Sequence, residues 1–561
     1  IIGDSEGIHL VVPRSSTKEC IDFICKDLQT AADYLPARWE SENKNFGRIT
    51  SGAALALKGR VELLYASPLF NRADDVTRWE TAYQTNLAAV KKLEEGNFGL
   101  AYENNSGKNA AGWGKIFSDY IGSEGGGGTV SEAVLVTLYN NVSPAEHLQL
   151  EKWNGWEHSL RPANAGGGGG MTPTAEMVDL FPMADGKKPN DMNGSYDYNQ
   201  ELFFLNRDPR FYRTFAFPGV EWKFDSDDLK SFGEKGQLPY GINGYTTGNN
   251  YKLWNYCWYD NVDDRNSNSK SGYAADCLGT KNTGIYLRKR TDDLALNSNP
   301  LYIFEKTSGN GFRQSAAPYM EIRFAEVLLN YAEAACGANH FDEAVNALKR
   351  IRKRVGYTDN CGLDPAIFND RAKLFEAILY ERQIELAYEG KRFHDVRRWM
   401  LFDGGVGQEA LKSTWKLTGF NGNTCNYLGV EPLNGQRRHR IEVYAKNFIA
   451  AKSNNVYNED KTIKETYDEL WNKRPTALSL TEDITCTESA DDEITYADAK
   501  VKALAQFYQE HFKRKNLSTD GNDETILPTF KPYYYILGFK KNAMQNNVSL
   551  EQNIGWGDYW R

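Results

Sequence analysis

Between residues 320 and 400 the apolar positions of the chain recur at helical spacing. Ile322, Val327, Leu328, Tyr331, Ala334 and Ala335 share one face. Phe341, Ala344, Val345, Leu348, Ile351 and Val355 repeat the pattern, and Leu374, Ile378 and Leu379 lead into Ile384, Leu386, Ala387 and Phe393. Consecutive amphipathic segments with alanine at the crossings predict tetratricopeptide-like helical hairpins. The spacing predicts an antiparallel helix set over 318–400, packed through Ala332, Ala334, Ala335, Ala344 and Ala387.

Further helices are predicted upstream. One covers 17–36, with Thr17 as N-cap, a stripe of Ile21, Ile24, Leu28 and Ala32, and Pro36 at its end. Others cover 49–67, stopped near Pro68, and 76–95, closed by Gly96. Residues 99–128 read as a glycine-bearing loop, followed by a short strand at Val134–Val136. The block 141–315 is rich in Gly, Asn and Asp, with short β runs at Tyr212–Phe217 and Gly284–Arg290. Residues 402–495 are polar and irregular, and 497–515 read as a last helix. The expected fold is therefore mainly α, a tetratricopeptide-like hairpin scaffold bearing a loop-rich, irregular ligand-binding region with short β-strands. Its parts are an N-terminal helical region (1–130), the loop-rich region (131–315), the helical-repeat core (316–401), and an irregular region with a further helix and tail (402–561).

The segments Ile322–Glu326, Asn330–Ala334, Ala347–Arg354, and Glu381-Arg382 through Glu385–Ala387 to Glu389-Gly390, Arg392-Phe393, Asp395 and Arg397–Trp399 together resemble the SusD/RagB family of nutrient-capturing surface lipoproteins of Bacteroidetes. Gly47-Arg48 with Ala53–Tyr65, Pro173-Thr174 through Met177–Asp179 to Met183–Gly186, Asn206–Arg210, and Gln552-Asn553 with Gly555-Trp556 follow in the family's order. The family's Pro-Ile-Pro before the end is not legible; Tyr535–Gly538 takes that place. The resemblance implies a hinged lid on a SusC-like TonB-dependent outer-membrane transporter. It captures oligosaccharide, or peptide in RagB-like members, on the extracellular face of the outer membrane. It also implies a lipid anchor and a first hairpin upstream of Ile1, since Ile1–Ser16 has neither a charged n-region nor an apolar h-region.

Composition narrows the classes. A net charge of −9 argues against a general nucleic-acid binder, which needs a basic face. The run Arg437–Arg440 is short and reads as a solvated loop. The sequence holds no apolar run of about 18 residues of the kind that spans a bilayer. Eight cysteines without a C-x-x-C pair make no disulfide framework; Cys257 and Cys277 bracket one polar loop and have the setting to pair on an oxidising surface.

Each candidate chemistry has a plainer alternative. Gly125–Gly128 and Gly166–Gly170 lack the lysine that ends a phosphate loop and read as flexible loops. The seven histidines form no zinc pattern, and His394 reads as structural. No cofactor is expected; the acidic run Asp260–Asp264 leaves room for a structural Ca²⁺, which some family members carry, although a solvated loop is the preferred reading. No nucleophile elbow or singled-out carboxylate pair points to an enzyme, and a glycoside hydrolase is the minor alternative. A helical-repeat scaffold that binds only proteins is a further one. The signature charges Glu326, Glu333, Glu381, Arg382, Glu385, Glu389, Arg392, Asp395 and Arg397 read as fold-determining ion pairs. The expected ligand platform is Trp254, Tyr256, Trp258 and Tyr259 with Asp260 and Asn261, because aromatic faces stack on sugars while amides and carboxylates bind hydroxyls; a buried strand with alternating Leu253, Tyr and Trp accounts for the segment equally. Trp153, Trp156 and Trp113 are secondary candidates.

Overall fold

The computed structural model of the chain describes residues 13–103, 110–118, 130–142, 151–162, 167–168, 170–222, 251–253, 284–291, 299, 301–304, 311–404, 420–445, 448–449, 455–457, 460, 462–466, 469, 473–480, 487–488, 494–495, 499–517, 527–547, 549–553 and 555–556. Its long helices are α1 (Thr17–Tyr34), α2 (Ser51–Ala66), α3 (Val76–Glu95), α4 (Phe324–Gly337), α5 (Phe341–Lys353), α6 (Arg371–Glu385) and α7 (Ala499–His511). The mainly helical, hairpin-based architecture expected from the pattern is thus present.

Local chemistry sets the ends. Ser16, not Thr17, caps α1: its hydroxyl accepts from the Glu19 N–H at 3.2 Å while the Glu19 carboxylate accepts from the Ser16 N–H at 2.7 Å. Thr50 and Asp75 cap α2 and α3 through side-chain acceptors. Helix α1 rests on α2 without burying any residue, and Ile24, expected in its inner stripe, is exposed.

Helix α4 is the hub and packs on α2, α3, α5 and α6. Ala332, Ala334, Ala335 and Ala344 are fully buried at these crossings. Gly337 closes the end of α4 against Trp79 of α3; a Cβ there would lie 2.2 Å from the indole.

Several expectations change, among them the helix expected over 497–515, which ends at His511. Ile322 lies in a strand, Tyr319–Arg323, paired antiparallel with Ala133–Thr137, so the helix starts at Phe324. The first half of Tyr212–Phe217, Tyr212–Thr214, is helical because Asp208 accepts from the Arg210 N–H and Pro209 opens the turn; only Phe215-Ala216 pairs as strand, with Tyr286-Leu287. The glycine-bearing loop contains a helix, Ala111–Ser118, anchored by buried Trp113 and Ile116. Ala387 is buried but lies in the turn beyond α6. At the C-terminal end of α7, Phe512–Leu517 turns into a strand paired with Arg440–Ala445.

The signature charges meet in the interior. The carboxylate of Glu385 accepts from Arg323 and Arg210, each at 2.8 Å, from Arg354, and from the Trp113 indole at 2.9 Å. Around it Glu132 binds Arg323 and Arg354, Glu389 binds Arg323 and Lys289, and Glu381 binds Arg210 and Arg352. Asp208 pairs with Arg210 and accepts from the Tyr357 hydroxyl at 2.7 Å. Five carboxylates therefore face five cations, all buried. A second cluster joins Glu333 to Arg398 and the Trp399 indole, and Asp395 to Arg382 and Arg398. A third joins Glu326 to Arg60 and Lys391. Two expected pairs are not among them. Arg397 donates to the Tyr535 carbonyl at 2.5 Å, and Arg392 has no ion pair or hydrogen bond among the described residues.

Burial alone would raise these carboxyls, but the adjacent guanidiniums outweigh it. Glu385 is held well below the usual range by Arg354, Arg323 and Arg210. Glu389 drops from 4.5 to about 2 and Asp395 from 3.8 to about 2. Lys289 moves the other way from a surface lysine: burial pushes it down to about 8 against the pull of Glu389.

Replacing Glu385 with Gln leaves Arg323, Arg354 and Arg210 sharing too few anions. The expected cost is about 3–5 kcal/mol, read from chemical denaturation. Because Glu389 and Asp395 are depressed in the folded chain, their stabilisation is complete above the unfolded values and lost as pH falls toward 2. Each contributes about 2–3 kcal/mol, so the melting temperature is expected to fall continuously from about pH 5 to pH 2. A flat profile there would contradict the network.

Candidate functional site

The aromatic segment is entered through a core strand. Tyr251–Leu253 pairs antiparallel with Val220–Trp222, and Leu253, Val220 and Trp222 are buried. Trp254, Tyr256, Trp258, Tyr259, Asp260 and Asn261 lie outside the described residues, as do Cys257, Cys277, the rest of Asp260–Asp264 and Gly125–Gly128.

The secondary tryptophans are described. Trp113 is fully buried, its indole bonded to Glu385 and its ring edge-on to Phe117 at 5.5 Å between centroids. It is a core ring that satisfies the central carboxylate, which corrects its expected place on the ligand surface. Trp156 is half-buried and donates to the Lys289 carbonyl at 3.1 Å. The Arg290 guanidinium lies 3.9 Å from its ring centroid and 5.1 Å from that of Tyr319. These rings border a crevice of ≈ 20 Å³, also lined by Asn154, Tyr302 and Ser315. That space holds about one water, not a sugar ring. Trp153 is half-buried and donates to the Val142 carbonyl at 2.9 Å.

Part of the second glycine run is fixed in place. The Gly168 N–H donates to the His158 carbonyl at 2.7 Å, and a Cβ on Gly167 would lie 2.0 Å from the Arg161 carbonyl. Here glycine serves close backbone packing on the helix Trp156–Leu160. His394 is on the exposed side of the helix Arg392–Arg398. Among the described residues no group of three or more His, Cys, Asp or Glu is arranged to hold a metal ion. Nor is any described helix long and apolar enough to cross a membrane.

Sequence reasoning missed a larger feature. A solvent-open groove of ≈ 690 Å³ runs along α6, bounded by residues 188–200, Arg392 and residues 428–433. Leu379, Leu401 and Leu428 form a buried apolar floor, and Leu180, Val430 and Leu433 continue it. The walls carry Glu176, Asp179, Lys188, Glu376, Gln383 and Arg392. The available signal was Arg392 itself, a signature charge with no partner at helical spacing that its neighbours do not already use.

The family model described as the SusD family matches residues 114–556. The chain belongs to the SusD family. SusD-like protein P2 of Formosa agariphila is 34% identical over 131 residues, 21% of this chain and 25% of that protein; the match thus spans about a quarter of that curated relative. A crystallised SusD-like protein from Bacteroides fragilis shares the fold with a TM-score of 0.54 at 21% identity, over 97% of this chain and 72% of its own.

Replacing Trp113 with Phe removes one bond to Glu385 and opens a small void. It is expected to lower stability by about 1–3 kcal/mol. Ligand affinity measured calorimetrically should stay unchanged, as befits a core ring.

Proposed function

We propose that the protein is a non-catalytic surface binding protein that captures oligosaccharide and delivers it to a SusC-like TonB-dependent transporter. It works on the extracellular face of the outer membrane, held there by a lipid anchor. The observation that carries this reading is membership of the SusD family across residues 114–556. The glycan assignment is supported by the Trp/Tyr-rich segment 254–261, which leaves a strand rooted in the buried core. Aromatic faces stack on sugar C–H surfaces, and neighbouring Asp and Asn side chains bind hydroxyls. Transport energy comes from the partner, so this chain needs no cofactor; any Ca²⁺ at Asp260–Asp264 has a structural role.

The test is calorimetric titration with an oligosaccharide panel and a peptide panel, run on the native chain and Trp258→Ala. Saturable glycan binding is expected, weakened by ~1–2 kcal/mol in the variant with an unchanged melting temperature. Binding confined to peptides would establish the RagB-like alternative. An intact affinity with a lowered melting temperature would move Trp258 into the core. Reducing-end release that disappears on mutating one carboxylate pair would make the protein an enzyme and end the binding-protein reading.

A further inference from the structure

The groove along α6 does not need the glycan reading, since its case rests on described residues alone. Its charges are unevenly satisfied. Glu376 is paired with Lys188 at 2.5 Å, Glu176 with His439 at 2.7 Å, and Asp179 with Arg514 at 2.7 Å. Asp179 also accepts from the Tyr198 hydroxyl. Arg392 stands apart. It is half-buried in the groove wall and makes no ion pair or hydrogen bond among the described residues. Its neighbour Asp395 is already engaged by Arg382 and Arg398. Burial depresses the Arg392 pKa, with Asp395 opposing and Arg438 adding to the shift. A desolvated guanidinium with five donors and no acceptor calls for an anion, and a carboxylate fits its fork.

The floor narrows the ligand further. The two tyrosines beside the groove have cations over their rings: Lys188 lies 5.0 Å from the Tyr380 centroid and Arg207 4.6 Å from that of Tyr198. The Tyr380 hydroxyl is occupied by the Leu180 carbonyl at 2.6 Å. These rings are poorly placed to stack a sugar. What remains is aliphatic, the side chains of Leu379, Leu401, Leu428, Val430 and Leu433. Burying an apolar body on such a surface is favourable in proportion to the apolar area removed from water. Glu431 adds a negative charge at the rim, but it is exposed and therefore screened.

We propose that this groove is a second binding site, for a small amphipathic carboxylate whose apolar body lies on the leucine floor and whose carboxylate is held by Arg392. Such chemistry occurs at the C-terminus of a short apolar peptide and in a medium-chain fatty acid. Both are probed directly. N-acetyl-leucyl-leucine, its C-terminal amide and decanoate are titrated calorimetrically into the native chain and into Arg392→Gln. At least one carboxylate is expected to bind saturably, and which one binds identifies the source. Losing the charged bond, by the variant or by a binding dipeptide's amide, is expected to cost about tenfold in affinity. The amide should not distinguish the two proteins. The inference is overturned if neither carboxylate saturates, if Arg392→Gln binds them as tightly as the native chain, or if the dipeptide binds and its amide binds equally well. The amide comparison leaves the protein unaltered, and a thermal melt of the variant checks its fold. Glycan titration of Arg392→Gln should match the native chain, so failure of this site and failure of the glycan reading are separable.

Discussion

The carboxylate of Glu385 is the point on which the interior depends. It draws together Arg210, Arg323, Arg354 and Trp113, residues brought from four separate stretches of chain. Each of those cations is fully buried, and a buried guanidinium without an anion costs several kcal/mol. The same geometry therefore fixes the helix Ala111–Ser118, the strand ending at Arg323, the end of α5 and the end of α6 relative to one another. An apolar core tolerates slippage between helices far better than a set of charge-assisted bonds with defined directions. The alternation of five carboxylates with five cations is what lets so much charge leave water.

This arrangement divides labour on α6. Glu381 and Glu385 are one turn apart and face the buried network, while Glu376, Tyr380 and Gln383 share the opposite edge and line the groove. One helix thus carries the rigid interior and an open surface. The groove inherits that rigidity, because its back wall is held by bonds to Arg210 and Arg352 behind it. A preorganised wall loses little entropy when a ligand arrives.

The sequence made some of this legible, and physical reasons mark where it stopped. The packing alanines and α3 were readable because a 3.6-residue period and a closing Gly96 are local signals. Ile322 misled because a buried strand running directly into a helix keeps an apolar run whose period changes midway. Trp113 misled because flanking glycines read as a loop, whereas they sit within a helix set against the core. Apart from Arg392 and Arg397, the signature charges form buried ion pairs as expected, and most of these run between elements rather than along one helix. Arg323 with Glu132 and Arg210 with Glu381 join residues far apart in the chain, and such partners have no period. The groove was invisible for the same reason, since its floor is assembled from α6, Leu401 and residues 428–433.

Arg392, Arg397 and Arg398 show how far a charge pattern reaches. All three lie on one short helix and read alike in sequence. Arg398 is buried against Glu333 and Asp395, so its charge is spent on the fold. Arg397 is anchored by the Tyr535 carbonyl. Among the described residues Arg392 has neither an anion nor a carbonyl, although it is half-buried and its surroundings disfavour its charge. A fold gains nothing from an arginine held that way, for a leucine or glutamine at the groove wall would avoid the desolvation penalty. Unpaired, partly desolvated charge beside an aliphatic floor is what separates a position kept for an external anion from one kept for packing, and on this helix only the three-dimensional structure makes the distinction.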